Sequence, residues 1–393
     1  MLKLAKAWQE PLVTPGEALP GRARIFGDSV VVADGTGTGK VRLVCFGAAD
    51  GVRRWTLDGS KAVELPGVGS GWLSIVGPAQ YFSPITIQNP GVRVAGNVIP
   101  IPYATAPKGV TTSGVIGVDA TTGEPAWTFA ATPSPTADRT MVTAVANSVV
   151  LATVSAPYGP HFPATSPTTI AVDAKTGTEL WRETGLTGLS GDGDSVVVAH
   201  RTANSATWLP EVRDARSGKV RWAGTKAMGG PYEHSGTAAD FVLLNPGSRQ
   251  MELVRLSTGE QLDVPETTVR PHLLGTEPPL LVWDSGMSWW AKGPNGFVTQ
   301  TLPKGRAAKG KSRPGTLTFR PALGIGPYLW GELQTKQGTK KEDVQFSGTV
   351  AVDRTGALCS FPMQDGAAIA DVSHDWLVLG LKDHLAVHRI SPA

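Results

Sequence analysis

Five cations fall within ten residues in the segment LPKGRAAKGKSRPG, at Lys304, Arg306, Lys309, Lys311 and Arg313, and no acidic side chain occurs between Gln300 and Glu332. A charge density of this kind either attracts and steers an acidic partner surface or stands solvated in a loop. The glycines and alanines between the cations read as a loop in both cases. Lys336, Lys340 and Lys341 follow and would extend the same patch. Other reactive side chains are more dispersed. The seven histidines contain no H-E-x-x-H motif, so no metal centre is expected. The stretch GTGTGK at 35–40 begins like a phosphate loop, but Val41 stands where a serine or threonine would hold magnesium, and GDGDS at 191–195 is too short for a calcium loop. Cys45 and Cys359 are too few for a disulfide framework or a cysteine-bound metal. Their apolar contexts, RLVCF and ALCSF, imply buried thiols outside any disulfide.

Aromatic side chains supply the second class of candidate. Two Gly- and Pro-rich insertions, 80–109 and 155–167, carry Tyr81, Phe82, Tyr103, Tyr158 and Phe162. Such rings anchor a partner or fill the space between loops, and both readings are open. In MSWWAKG, strand alternation sends Trp289 and Trp290 to opposite faces, one into the core and one, taken as Trp290, to a partner.

The elements that must position these groups are written in a repeat. Asp, Gly four residues on and Trp four further recur in GVDATTGEPAW, AVDAKTGTELW and VRDARSGKVRW, at Asp119, Gly123 and Trp127, at Asp173, Gly177 and Trp181, and at Asp214, Gly218 and Trp222. The aspartate bonds to backbone two residues on, the glycine supplies a positive φ, and the tryptophan offers a broad face to wedge between sheets. Upstream of each turn lies a β-branched run, DSVVVAD at 28, NSVVLAT at 147 and DSVVVAH at 194, with looser copies in ADFVLLN, PPLLVWD and HDWLVLG. Short small-residue stretches before these runs predict the first strand of a hairpin, so each unit contains four antiparallel strands. Turn glycines fall at Gly51, Gly123, Gly177, Gly218, Gly259 and Gly356; the tightest spacing, 41 residues, occurs twice and is a propeller-blade period.

Fourth strands are expected at Trp8, Trp55, Trp127, Trp181 and Trp222 and, in degenerate form, near Asp263, Gln300 and Phe361, giving eight. KAWQEP at the N-terminus resembles LWRET but has no strands before it, while DWLVLGLKDHLAVHRI at the C-terminus lacks a fourth. The expectation is therefore an all-β, eight-bladed β-propeller of four-stranded antiparallel blades, one domain over 1–393, closed by pairing the N-terminal strand with the last blade. Closure removes the open edges.

The V-D-A-x-T-G-x-x-x-W pattern resembles the repeat of pyrroloquinoline-quinone-like β-propellers, a family of quinoprotein dehydrogenases and non-enzymatic eight-bladed relatives. The chain is closest in size to the non-enzymatic propeller of the outer-membrane β-barrel assembly machinery. For the dehydrogenases the resemblance implies adjacent cysteines over the cofactor and a dense set of calcium ligands. This chain lacks the former, and its inner strands offer only scattered ionisable groups, Arg24, Glu233, His234, His272 and Asp371. The non-enzymatic branch of the resemblance thus implies a scaffold without cofactor or catalytic residues, and the inner strands, read from the sequence, offer Arg24, His234, His272 and Asp371 as candidate funnel-lining residues. A sensor or small-ligand-binding propeller is the alternative, and a quinoprotein-type oxidoreductase comes after it.

Composition agrees with many short strands. Gly (47) and Pro (31) make up about a fifth of the chain, against an average of roughly 12%. A net charge of +3 argues for no nucleic acid and no membrane surface, and protein partners are expected in an unspecified stoichiometry. No apolar run approaches the ~18 residues of a membrane helix, and MLKLAKAWQEPLV lacks the apolar core of a signal peptide. A cytoplasmic chain is expected, or an extracellular one if the sequence is an excised domain.

Overall fold

The computed structural model describes residues 2–11, 23–34, 42–59, 61–73, 95–105, 112–131, 139–155, 167–201, 207–228, 234–238, 240–247, 250–262, 264, 272–274, 280–283, 286–290, 297–301, 316–325, 328–336, 344–352, 358–361, 368–380 and 384–392. These residues are strands and turns. Strand β1 (Leu2–Pro11) opens the chain. A first sheet follows, β2 (Ala23–Phe26), β3 (Ser29–Asp34), β4 (Arg42–Gly47) and β5 (Arg53–Asp58). The second contains β6 (Val63–Leu65), β7 (Gly69–Leu73), β8 (Val98–Thr105), β9 (Thr112–Asp119) and β10 (Pro125–Ala130). The third contains β11 (Arg139–Ala146), β12 (Val149–Ser155), β13 (Thr168–Asp173) and β14 (Glu179–Thr184), and the fourth β15 (Leu186–Asp192), β16 (Ser195–Arg201), β17 (Trp208–Asp214) and β18 (Val220–Ala223). The fifth contains β19 (His234–Ala238), β20 (Phe241–Gly247), β21 (Gln250–Arg255) and β22 (Gln261–Leu262), and the sixth β23 (His272–Leu274), β24 (Leu280–Trp283), β25 (Gly286–Trp290) and β26 (Phe297–Thr301). The seventh contains β27 (Thr316–Ile325), β28 (Tyr328–Lys336), β29 (Val344–Val352) and β30 (Leu358–Phe361). The last sheet joins the chain ends in the order β1-β33-β32-β31, with β31 (Ala368–Val372), β32 (Trp376–Gly380) and β33 (His384–Pro392).

Within each sheet the strands follow one another in sequence order, with β1 against β33 as the exception, and the paired strands run antiparallel, which is the blade architecture of an all-β propeller. The expected pairing of the N-terminal strand with the last blade is present, β1 lying against β33 from Leu2↔Pro392 to Pro11↔His384. The chain divides into two compact units, one of Met1–Val30, Gly47–Val52 and Val264–Ala393, the other of Val31–Phe46 and Arg53–Asp263.

In the second unit the repeat turn is a built lock. The Asp119 carboxylate accepts the N–H groups of Thr121 (2.8 Å) and Thr122 (2.9 Å) while its carbonyl accepts Gly123 N–H at 2.8 Å. Asp173 repeats this with Lys175, Thr176 and Gly177. The ring of the preceding fourth strand then closes on the turn. Trp55 Nε1 donates to Ala120 O at 3.0 Å, Trp127 Nε1 to Ala174 O at 2.7 Å and Trp181 Nε1 to Ala215 O at 2.9 Å. Each indole lies flat on the turn glycine; a Cβ on Gly177 would stand 2.8 Å from the Trp127 ring. Glycine is thus required twice, by a φ of 72° and by the ring against it.

One further regularity aims the rings. Pairing slips by one residue just before each tryptophan, skipping Arg54, Ala126, Leu180 and Arg221. A bulge bends its strand and re-aims the next side chain. In the first unit β1 repeats the device, skipping Ala7 before Trp8, whose Nε1 donates to Ala48 O at 2.8 Å and whose ring lies on Gly51.

The second unit's core lies between sheet faces. Trp127, Val150, Ile170 and Val172 pack with Val98 and Val115 of the second sheet, and Leu151, Val196, Val198 and Leu186 join the third sheet to the fourth. Central strands are covered on both faces, which explains why β16 reads as an unbroken Val196-Val197-Val198-Ala199, all buried.

Two expectations need correction. The segment 80–109 is not a loop throughout, because Val98–Thr105 is the central strand β8 and β7 stands before it. Pro100 and Pro102 hid it. Both pair with β9 through Gly117 and Val115, and β7 reaches β8 only at Ala104 and Tyr103, so neither proline must donate toward β7. Nor is Tyr103 an exposed anchor: it is 2% exposed, since β8 turns it inward against Gly114, where a Cβ would meet its ring at 2.8 Å.

Candidate functional site

Two of the four funnel candidates meet in the first unit. Asp371 stands on β31 and Arg24 on β2, with Nη1 3.6 Å from Asp371 Oδ1. Asp371 is buried, whereas the Arg24 side chain is 46% exposed. The other carboxylate oxygen accepts Ile25 N–H at 2.7 Å. First strands are sheet edges, and a buried edge N–H needs a partner; the aspartate supplies it from the neighbouring sheet. A bulge places it, because pairing skips Ala370 between Ile369 and Asp371. Strands β11 and β15 carry the same bulge, skipping Thr143 and Leu189, and present Ala144 and Ser190 at the corresponding position.

Burial pushes the Asp371 carboxyl above its usual range, and the Arg24 charge with the N–H groups of Ile25 and Val372 opposes this only in part. A carboxyl shifted in this direction is a candidate acid in a cleft. Here, however, one oxygen holds backbone and the other faces a guanidinium, an arrangement that latches β2 to β31. Tyr103 is the other strongly shifted group, pushed up to about 12 by burial. Its hydroxyl has no hydrogen-bond partner among the described residues.

His234 stands on β19 opposite Leu244, His272 on β23 opposite Val282, and Trp290 closes β25 opposite Phe297. Lys304, Arg306, Lys309, Lys311, Arg313, Tyr81, Phe82, Tyr158 and Phe162 lie outside the described residues. Cys45 is buried in β4 and not in a disulfide. One histidine pair, His384 and His388, stands four residues apart, the spacing with which a helix directs two rings at one metal. In the strand β33 that spacing separates them by about 13 Å. Burial, followed by the charge of Lys6, lowers the His388 pKa. Among the described residues no group of three or more His, Cys, Asp or Glu side chains is placed to hold a metal ion.

Among the described residues one polar cluster was not legible in the sequence. Arg213 of β17, its side chain 7% exposed, holds Glu211 of its own strand at 2.7 Å and Glu183 of β14 at 2.5 Å. Its guanidinium also stands 6.0 Å from the Trp181 ring. His200 of β16 approaches Glu211 at 2.8 Å. Hydrogen bonding to Arg213, partly offset by burial, holds the Glu183 carboxyl below the usual range, aided by the charges of Arg213 and His200. The one readable signal was the alternation in PEVRD, which puts Glu211 and Arg213 on one face of a strand; Glu183 and His200 arrive through sheet packing.

No family model matches the sequence, and no curated protein matches it. Solved structures resemble it at low identity. BamB from Moraxella catarrhalis is 14% identical with a TM-score of 0.48, covering 98% of this chain and 100% of that one. The quinohemoprotein alcohol dehydrogenase ADHIIG from Pseudomonas putida HK5 is 11% identical at 0.47, covering 99% and 76%. The β-propeller domain of the Trilobed protease from Pyrococcus furiosus is 11% identical at 0.42, covering 88% and 96%. At such scores none of these likenesses assigns an activity, ligand or partner to this chain.

Proposed function

We propose that this chain is a non-enzymatic protein-binding scaffold or assembly subunit, a single ring of eight blades closed by β1, which meets its partners through loop-bearing faces. The observation that carries this reading is the engagement of the buried and turn carboxylates by the chain itself. Asp119, Asp173 and Asp214 hold turn N–H groups, Asp371 holds Ile25 N–H beside Arg24, and Glu183 and Glu211 hold Arg213. Groups engaged in this way bind strands and turns together, which leaves recognition to the loops.

The basic segment is the first candidate for that recognition. Converting Lys309, Lys311 and Arg313 together to Glu is expected to leave the thermal midpoint nearly unchanged, since exposed charges contribute about 0–1 kcal/mol. The same change should slow association with the native partner, captured by cross-linking, and remove its salt sensitivity. Unchanged capture of every partner would move the binding face to the aromatic insertions at 80–109 and 155–167. Stoichiometric uptake of pyrroloquinoline quinone with calcium, read by absorbance and dye reduction, would overturn the scaffold reading in favour of an oxidoreductase.

A further inference from the structure

Outer strands are attached to this chain in two ways. Strands β5, β10, β14 and β18 each follow the strand they pair with after a short turn, 48–52, 120–124, 174–178 and 215–219. Such a turn holds the strand beside its neighbour, and exchange with another copy would carry the neighbour along. Strand β1 differs. It pairs with β33 alone, far along the sequence, and residues 12–22 lead from it to β2 of a different sheet. A connection of that length reaches at most about 40 Å, against roughly 4.8 Å between paired strands. Covalent connectivity therefore does not decide which copy's β33 receives β1.

What the receiving surface recognises is carried by β1 itself. Every residue of Leu2–Pro11 except Ala7 pairs with β33. The skipped residue aims Trp8, whose Nε1 donates to Ala48 O at 2.8 Å and whose ring lies where a Cβ on Gly51 would stand, 2.8 Å away. Ala48 and Gly51 belong to the turn between β4 and β5. The edge of β33 and this turn, both within the first unit, thus accept a strand that has a tryptophan directly after a bulge. Strands β5, β10, β14 and β18 have the same feature but are held by their turns. The strand that fits and is not so held is β1, and a second copy of the chain supplies it.

We propose that the last sheet is a strand-exchange site, at which β1 of a second copy of this chain takes the place of the chain's own. Two copies exchanging reciprocally complete both sheets in a two-fold symmetric dimer and leave neither β33 edge open. Every strand contact of the closed chain is remade in the dimer, so concentration sets the balance. Closure within one chain acts at an effective concentration on the order of mM for a short flexible connection. Exchange takes place when β1 is released while chains are crowded, whichever other partner the protein binds.

The test uses full-length variants that each gain one cysteine, mixed in pairs of different isotopic mass. Ala5 faces Arg389 and Lys3 faces Ser391 in the β1–β33 register. Ala5→Cys is mixed with Arg389→Cys, and Lys3→Cys with Ser391→Cys. The crossed mixtures, Ala5→Cys with Ser391→Cys and Lys3→Cys with Arg389→Cys, place the cysteines about 7–8 Å apart on the diagonal, beyond what a disulfide spans. Each mixture is unfolded in urea, refolded without dilution and oxidised, so the native cysteines contribute equally to all. Mass spectrometry should find the disulfide-linked heterodimer in a facing mixture at about tenfold the yield of a crossed one. Equal yields from facing and crossed mixtures, or no heterodimer, overturn the exchange. Either facing pair decides by itself should a variant of the other fail to fold.

Discussion

In the second, third and fourth sheets cohesion is made by residues that the repeat itself supplies, whereas the last sheet is assembled from the two ends of the chain. The first region needs only its own motif: Asp caps the turn, Gly leaves room and the preceding Trp lies on it and donates to the adjacent carbonyl. The last sheet uses the same Trp device at β1, but the rest of its attachment is non-local, β1 against β33 and Asp371 reaching Ile25. A copied turn can be read in any one repeat. A closure between residues more than 300 positions apart depends on everything between them and concentrates its risk in one strand.

The largest expected effect breaks the second arrangement. Deleting residues 2–11 removes the whole outer strand of the last sheet and exposes the edge of β33. The first unit should lose its cooperative thermal transition; a truncated chain that melts like the parent would refute a structural role for β1.

An intermediate effect measures the motif. Trp127→Ala removes a ring that is 6% exposed and its bond to Ala174, with an expected cost of about 3–5 kcal/mol for a buried aromatic. Trp8→Ala makes the same change at a less completely buried ring and should cost less, in proportion to the apolar area withdrawn from water. Equal losses in chemical denaturation would mean that closure strains the last sheet beyond its contact area.

The smallest effect concerns Asp371 and is one of slope. Its folded carboxyl is raised by burial, so from about pH 4, where an unfolded aspartate ionises, the folded state holds more protons than the unfolded one. Stability contributed by this group is therefore complete at low pH and is lost as pH rises through the folded pKa. Asp371→Asn abolishes this titration, so the variant should gain stability relative to wild type as pH rises above about 4. A difference in midpoint that stays level from pH 3 to 8 would show that the latch does not titrate in this sense.

Much of this was legible in the chain. The runs SVVVAD, SVVLATV and SVVVAHR became β3, β12 and β16, and the lone KAWQEP became the missing fourth strand of the last sheet. Strand β8 was obscured because Pro100 and Pro102 are breakers except where a neighbour asks nothing of their nitrogens. The funnel set was legible only in part: Arg24 and Asp371 meet, but in a contact between strands.

Strand order, turn positions and the need for glycine after each aspartate were determined by the sequence alone, because hairpin chemistry and alternation act over a few residues and are written where they act. The tertiary structure alone decided that Trp127 donates to Ala174, that Asp371 holds the edge of β2, that Tyr103 is buried, and that Glu183 and His200 converge on Arg213. Each of these depends on how one sheet face lies against another. A shift of one residue in register exchanges the faces of a strand, so such contacts exist only once packing has selected among registers that local chemistry leaves equally open.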